Sequence, residues 1–198
     1  MKKLLFTLSV LMLASVSTWG GVVLTMDEVS QQTVNGLTIS KNGYDFTFSS
    51  LVDAQYNLAG PPQALYLTGP AIVGLPNQDE ELRIEFGSPI DNFQFGFALS
   101  FFSDVADAIT VARYDERGNK VGEEKAGAQK LVVFAEGFYK YKGGPVSAIK
   151  ITFASPDNSQ NPTNAFAIDN FAVDVPEPAT VALAGAALAV LALRRKLA

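Results

Sequence analysis

Phe93-Gln94-Phe95-Gly96-Phe97-Ala98-Leu99-Ser100-Phe101 decides the fold class. Large apolar side chains at 93, 95, 97, 99 and 101 alternate with small or polar ones. A period of two is the signature of a strand with one buried face. A helix would scatter the same five residues around its circumference. Aromatics along one strand face are more often core than ligand platform, so this stripe is expected to be buried. Phe102 breaks the phase and is expected at an exposed position or a bulge.

The alternation continues on both sides. Leu82, Ile84 and Phe86 carry it, as do Ile149, Ile151 and Phe153, and then Phe166 and Ile168 running toward Phe171 and Val173. Further strands are expected at Val22–Met26, Leu37–Ser40, Tyr44–Ser49, Ala64–Leu67, Ala108–Tyr114, Lys120–Glu124, Lys130–Phe134 and Phe138–Lys142. Asn42-Gly43 favours a tight hairpin, and Asp115-Glu116-Arg117-Gly118-Asn119 a type I turn with a left-handed glycine. Ala135-Glu136-Gly137 and Gly143-Gly144-Pro145 are expected as shorter breaks. Many short strands with turns between them predict an all-β fold, a single two-sheet jelly-roll-like β-sandwich over residues 21–174. Ile109–Asp115 with Gly118-Asn119, and the closing Ala167–Val173, resemble the hairpin and last strand of galactose-binding-like jelly rolls. That likeness covers two short segments and implies a fold more than a ligand.

The two ends have a different character. Met1-Lys2-Lys3 precedes the apolar run Leu4–Val16, and small residues gather from Ser15 to Gly21. A positive start, an apolar stretch and small residues near a cut predict a signal peptide over residues 1–20. At the other end Val175-Pro176-Glu177-Pro178 leads into an uncharged run, residues 179–193, and then Arg194-Arg195-Lys196. Fifteen residues at helical rise span about 22 Å, short against a hydrocarbon core of about 30 Å. The basic cluster is a stop-transfer signal expected to stay cytoplasmic, which leaves the body outside.

Taken together, this ending over residues 175–198 resembles the sorting signal of PEP-CTERM proteins, exported bacterial proteins whose tail is recognised by an exosortase. The resemblance implies that Pro176, Glu177 and Pro178 are the recognition motif and that the tail beyond them is removed. It also implies a transient stay in the inner membrane, then a place at the cell surface or in the extracellular matrix. Two prolines around one residue hold an extended strip unsuited to a helix, which suits a protease-type substrate. A rigid linker before an anchor is the alternative reading.

Charge and missing residue types narrow the function. The chain holds 15 basic and 20 acidic residues. Five of the bases (Lys2, Lys3, Arg194, Arg195, Lys196) sit in the ends, so the stretch from Gly21 to Pro178 keeps ten against twenty acids, a net of −10. Such a surface repels nucleic acid, which is not expected as a partner. The chain contains no cysteine and no histidine. That excludes Ser-His-Asp and Cys-His catalysis and histidine-ligated zinc. Glycoside hydrolysis needs only two carboxylates, but no motif flags a pair, and an enzyme is not expected.

Two irregular stretches are the candidate ligand loops, Val52–Asp79 and Ser155–Asn164. In the first, Tyr56, Asn57, Gln63, Tyr66 and Asn77 have the chemistry to stack on and hydrogen-bond a sugar; an ordinary solvated loop is the alternative. Asp27 and Glu28 near the mature start are expected beside Asp169 and Asn170 of the last strand. Together they offer oxygen ligands for a structural calcium, which similar jelly rolls often hold. Surface acids and a turn-forming asparagine are the plainer reading, and no other cofactor is expected. The expected function is a non-catalytic binding or adhesion module of an exopolysaccharide or biofilm matrix. A purely structural surface protein and a carbohydrate-active enzyme are the alternatives.

Overall fold

Eleven strands are the regular elements of the computed structural model, which describes residues 21–51, 54–61, 63–74, 81–154 and 165–173. All of the strands belong to one compact unit, Val22–Val175. The expected signal peptide, the sorting tail, Asn77 and the 155–164 loop lie outside the described residues.

Two strands run through both layers of the sandwich: β7 (Glu81–Leu99) and β10 (Ala135–Phe153), each of 19 residues. They pair antiparallel, with register shifts between Lys142, Val146 and Ala148 that divide each into halves. In the first layer the first half of β7 carries β4 (Tyr44–Ser50), and β3 (Thr38–Lys41) lies outside it. On its other side come the second half of β10, then β8 (Val105–Tyr114) and β9 (Lys120–Lys130). In the second layer the other half of β7 lies between the first half of β10 and β11 (Phe166–Val173). Beyond β11 follow β6 (Pro70–Gly74), β5 (Gln55–Ala59) and β2 (Gln32–Thr33), while β1 (Val22–Leu24) pairs the end of β11. The fold is the all-β, jelly-roll-like sandwich that the alternation predicts, with its ladders joined into one sheet by the two long strands.

Aromatic rings fill the space between the layers. Phe46 of β4 lies 6.0 Å from Phe171 of β11, Phe48 of β4 5.9 Å from Tyr56 of β5, and Phe153 of β10 3.9 Å from Phe166 of β11. These contacts cross the gap and do not follow a ladder. Phe93, Phe95, Phe97 and Leu99 are all buried, and Phe102 is exposed, as their phase predicts; Phe101, expected in the same buried stripe, lies past the end of β7 and is only half-buried. Arg113 of β8 reaches in from one edge. It donates to Tyr139 Oη at 3.1 Å, pairs with Glu124 at 3.0 Å and lies over the Tyr141 ring.

Local chemistry accounts for the hairpins. Asn42 and Gly43 both have positive φ, the conformation that matches the right-handed twist of β3 and β4. Between β8 and β9 the Gly118 N–H donates to the Asp115 carbonyl at 3.0 Å, and Gly118 takes the left-handed position. The last strand uses a different device. A register shift between Asp169 and Ala172, with Asn170 at φ 55°, marks a bulge. The extra residue reverses the phase of the strand. Phe166 and Ile168 point into the core before the bulge, Phe171 and Val173 after it, and all four are buried.

The structure departs from the expected strand list in several places. Leu82–Phe86 and Phe93–Leu99 belong to one strand. Both expected breaks, Ala135–Gly137 and Gly143–Pro145, fall inside β10. Gly137 is there for closeness, because a Cβ on it would stand 2.3 Å from the Phe97 ring. Ala64–Leu67 and the segment 131–134 form no strand. Conversely, β5 and β6 arise within the stretch read as irregular, where Asn57 and Pro70 hide them. Asn57 takes φ 57° at a register shift, and Pro70 opens its strand, a place where a missing N–H is tolerated.

Candidate functional site

The outer face of the second layer, turned away from the core, would be expected to meet water. A strap of chain, residues 64–69, covers it. Leu67 of the strap packs with Ala71, Ala98 and Ala167, small residues that let the chain approach closely. At Gly96 the approach is closest. A Cβ there would lie 2.3 Å from the Tyr66 carbonyl oxygen, so any other residue would push the strap off.

Two outward-facing carboxylates hold the strap by its backbone. Glu136 Oε2 accepts from the N–H groups of Leu65 at 2.6 Å and Tyr66 at 3.1 Å. Asp169 Oδ2 accepts from the Thr68 N–H at 2.9 Å. Asn170 Nδ2 donates to the Tyr66 carbonyl at 3.3 Å and to Thr68 Oγ1 at 3.2 Å. The bulge that turns Phe171 inward therefore also sets Asp169 and Asn170 under the strap.

Pinned in this way, Tyr66 stands beside Phe138 of β10, with ring centroids 6.2 Å apart and planes tilted by 40°. Tyr66 is 43% and Phe138 45% exposed. They border a cleft of about 620 Å³ whose other walls include Glu136, Asp104, Gln129 and the backbone of Gly127. Glu136 is only 2% exposed. Its Oε1 is buried and has no hydrogen-bond partner among the described residues. Asp104 is exposed, and one of its oxygens accepts from the Lys130 N–H at 2.7 Å. Among the described residues that line the cleft there is no lysine or arginine.

Of the described residues singled out in the first loop, only Tyr66 reaches this cleft. Tyr56 is fully buried in the core, and burial pushes its hydroxyl pKa up, with Glu28 beside it adding to the effect. Asn57 Nδ2 donates to the Val29 carbonyl at 2.6 Å, a structural task. Gln63, at φ 66°, begins the described part of the turn that leads into the strap. Glu136, Phe138, Asp104 and Gln129 lie outside the two stretches that the sequence marks as ligand loops. One signal for Phe138 was available: on β10, Tyr139 and Tyr141 share the inward phase, and Phe138 is the aromatic on the outward phase with Glu136, Lys140 and Lys142.

The segment around Asp27 and Glu28 and the last strand do come together, since Leu24 pairs with Phe171. Their acids are occupied. Glu28 Oε1 accepts from Lys41 Nζ at 2.6 Å and the Thr25 N–H at 2.9 Å, and Glu28 Oε2 from Tyr56 Oη at 2.5 Å. Asp27 Oδ1 accepts from Thr25 Oγ1 and Asp169 Oδ1 from the Asn170 N–H. The Lys41 ammonium stands where a cation would. Among the described residues no group of three or more acids is arranged to hold a metal. This donor set does not fit a calcium ion.

The cluster has a pH signature. Burial pushes the Glu28 carboxyl up, but Lys41, Tyr56 and the Thr25 N–H more than offset it and hold it at about 2, below its ordinary 4.5. A depressed carboxyl stabilises the fold fully above its unfolded value, and that contribution is lost as pH falls through the folded one. Burial moves Asp169 the opposite way, upward. Chemical denaturation of the mature protein should show stability falling between about pH 4.5 and pH 2, the interval between the unfolded and folded Glu28 values. Glu28→Gln should flatten that part of the curve; an unchanged slope would refute the assignment.

Residues 174–196 match the family model of the PEP-CTERM protein-sorting motif, as Pro176-Glu177-Pro178 and the basic ending imply. The motif is that of exported proteins with a C-terminal sorting tail. No curated protein matches the chain. Solved structures similar to it include the CBM32 of AlyQ in complex with 4,5-unsaturated mannuronic acid, at 13% identity and a TM-score of 0.40, covering 69% of this chain and 97% of that one. A family 29 carbohydrate-binding module is 13% identical with a TM-score of 0.38, covering 73% and 87%. The lectin domain of lectinolysin, complexed with Lewis B antigen, is 10% identical with a TM-score of 0.36, covering 54% and 72%.

Proposed function

We propose that this is an exosortase-processed, exported protein whose sandwich is a non-catalytic glycan-binding module, with the Tyr66–Phe138 cleft as its site. The observation that carries the reading is the unpartnered Glu136 Oε1 beside two exposed aromatic rings. A pyranose ring has an apolar face that packs on an aromatic ring and an edge of hydroxyls that need acceptors. A concave site with apolar walls and a few fixed polar groups offers both. Its volume is within the usual range for small-ligand sites, about 300–1,000 Å³. Catalysis is not part of the proposal. Glu136 is held by two backbone N–H groups and Asp104 is exposed, which leaves no opposed pair of buried carboxylates among the described residues of the cleft to share acid and base roles. The PEP-CTERM motif supports delivery to the cell surface or extracellular matrix, where an exopolysaccharide is the natural ligand. Retention of the mature protein on immobilised polysaccharides tests the reading. Tyr66→Ala and Phe138→Ala should each weaken binding several-fold, in keeping with about 0.5–1.5 kcal/mol for an aromatic contact, and the double variant should lose it. A wild-type protein retained on no glycan would favour a purely structural role.

A further inference from the structure

We infer that the cleft selects a sugar carrying a free amine, a glucosamine-type residue, over neutral and acidic sugars. This rests on the glycan-binding reading above and narrows it.

Glu136 Oε2 is saturated by the strap, while the buried Oε1 has no donor among the described residues. A buried carboxylate oxygen left without a donor is costly, and more so when charged. A sugar hydroxyl would supply a hydrogen bond but no charge. An ammonium group supplies three donors and the compensating charge together.

The surroundings point the same way. Asp104 adds a second carboxylate, and no lysine or arginine lines the cleft among the described residues. The faces of Tyr66 and Phe138 attract a cation placed over them. The mature stretch, at a net charge of −10, adds a long-range field of the same sign. A uronic acid would meet repulsion from both carboxylates. Glu136 itself lines the cleft, so a ligand seated there lies beside its carboxylate.

Calorimetric titration of the mature protein with three tetrasaccharides tests this: one of glucosamine, the same compound fully N-acetylated, and a uronate of equal length. The free-amine ligand should bind about 10- to 100-fold more tightly than its acetylated form, the worth of one charge-assisted hydrogen bond, and the uronate should bind most weakly. Glu136→Gln should bring the ratio of free-amine to acetylated affinity close to one. Asp104→Asn, at an exposed position, should lower the preference by a smaller factor and serves if Glu136→Gln does not fold. Raising the pH until the amine is neutral should abolish the preference in the wild type. Equal affinities for the amine and its acetylated form overturn the inference but leave the glycan-binding reading intact. A preference that survives Glu136→Gln, or persists undiminished in Phe138→Ala, is general attraction to an acidic surface and overturns it too. Binding of none of the three, with no retention on any polysaccharide, removes the glycan-binding reading itself.

Discussion

Replacing Pro176, Glu177 and Pro178 together by alanine should leave export intact and hold the protein in the membrane fraction. The wild type should instead be recovered outside the membrane, starting near Gly21 and ending close to Pro178. The motif match over residues 174–196 identifies the signal, and the composition of the run behind it explains why cutting matters. Residues 179–193 are rich in alanine, and apolar burial is worth roughly 25 cal/mol per Å², so each small side chain gains much less than a leucine. Such a segment is suited to a transient stop in the bilayer, with the arginines behind it resisting translocation. Mass spectrometry of the termini, with fractionation of cells expressing either form, reads the outcome. A triple variant that reached the exterior at normal size and rate would refute exosortase processing.

The second large effect is on the fold. Phe171→Ala should destabilise the mature protein by about 3–5 kcal/mol, the usual cost of emptying a buried phenylalanine site. Phe171 is fully buried, and its ring lies about 6 Å from four others, at 6.0 Å from Phe46, 6.1 Å from Phe86, 5.9 Å from Phe93 and 5.8 Å from Phe95. Those rings come from both layers, so none can fill the cavity without leaving its own ladder. Phe102→Ala is the control, since Phe102 is 60% exposed and surface changes are usually within about 0.5 kcal/mol. The denaturant midpoint should fall sharply for the first variant and barely move for the second. Similar midpoints would mean that the layers do not close over Phe171.

The sequence by itself determined the strand faces, two of the hairpins and the sorting motif. Each rests on chemistry within a few residues: the period of two from Phe93 to Leu99, the left-handed pairs at Asn42-Gly43 and Gly118, and the prolines around Glu177. Only the tertiary structure decided the site. Leu65 and Glu136 are 71 positions apart, and Thr68 and Asp169 are 101 apart, so no local pattern marks them as partners. Tyr56 and Tyr66 read alike in one loop, yet β5 carries the first into the core while the strap sets the second beside Phe138. Glu136 looked like a turn residue because it precedes a glycine. That glycine is required by the Phe97 ring across the ladder, a contact that exists only once β7 and β10 have paired. Side-chain alternation is written residue by residue along a strand. Which loop folds back over which face is set by hydrogen bonds and close packing between segments far apart in the chain, and those form only when the sheet itself has formed.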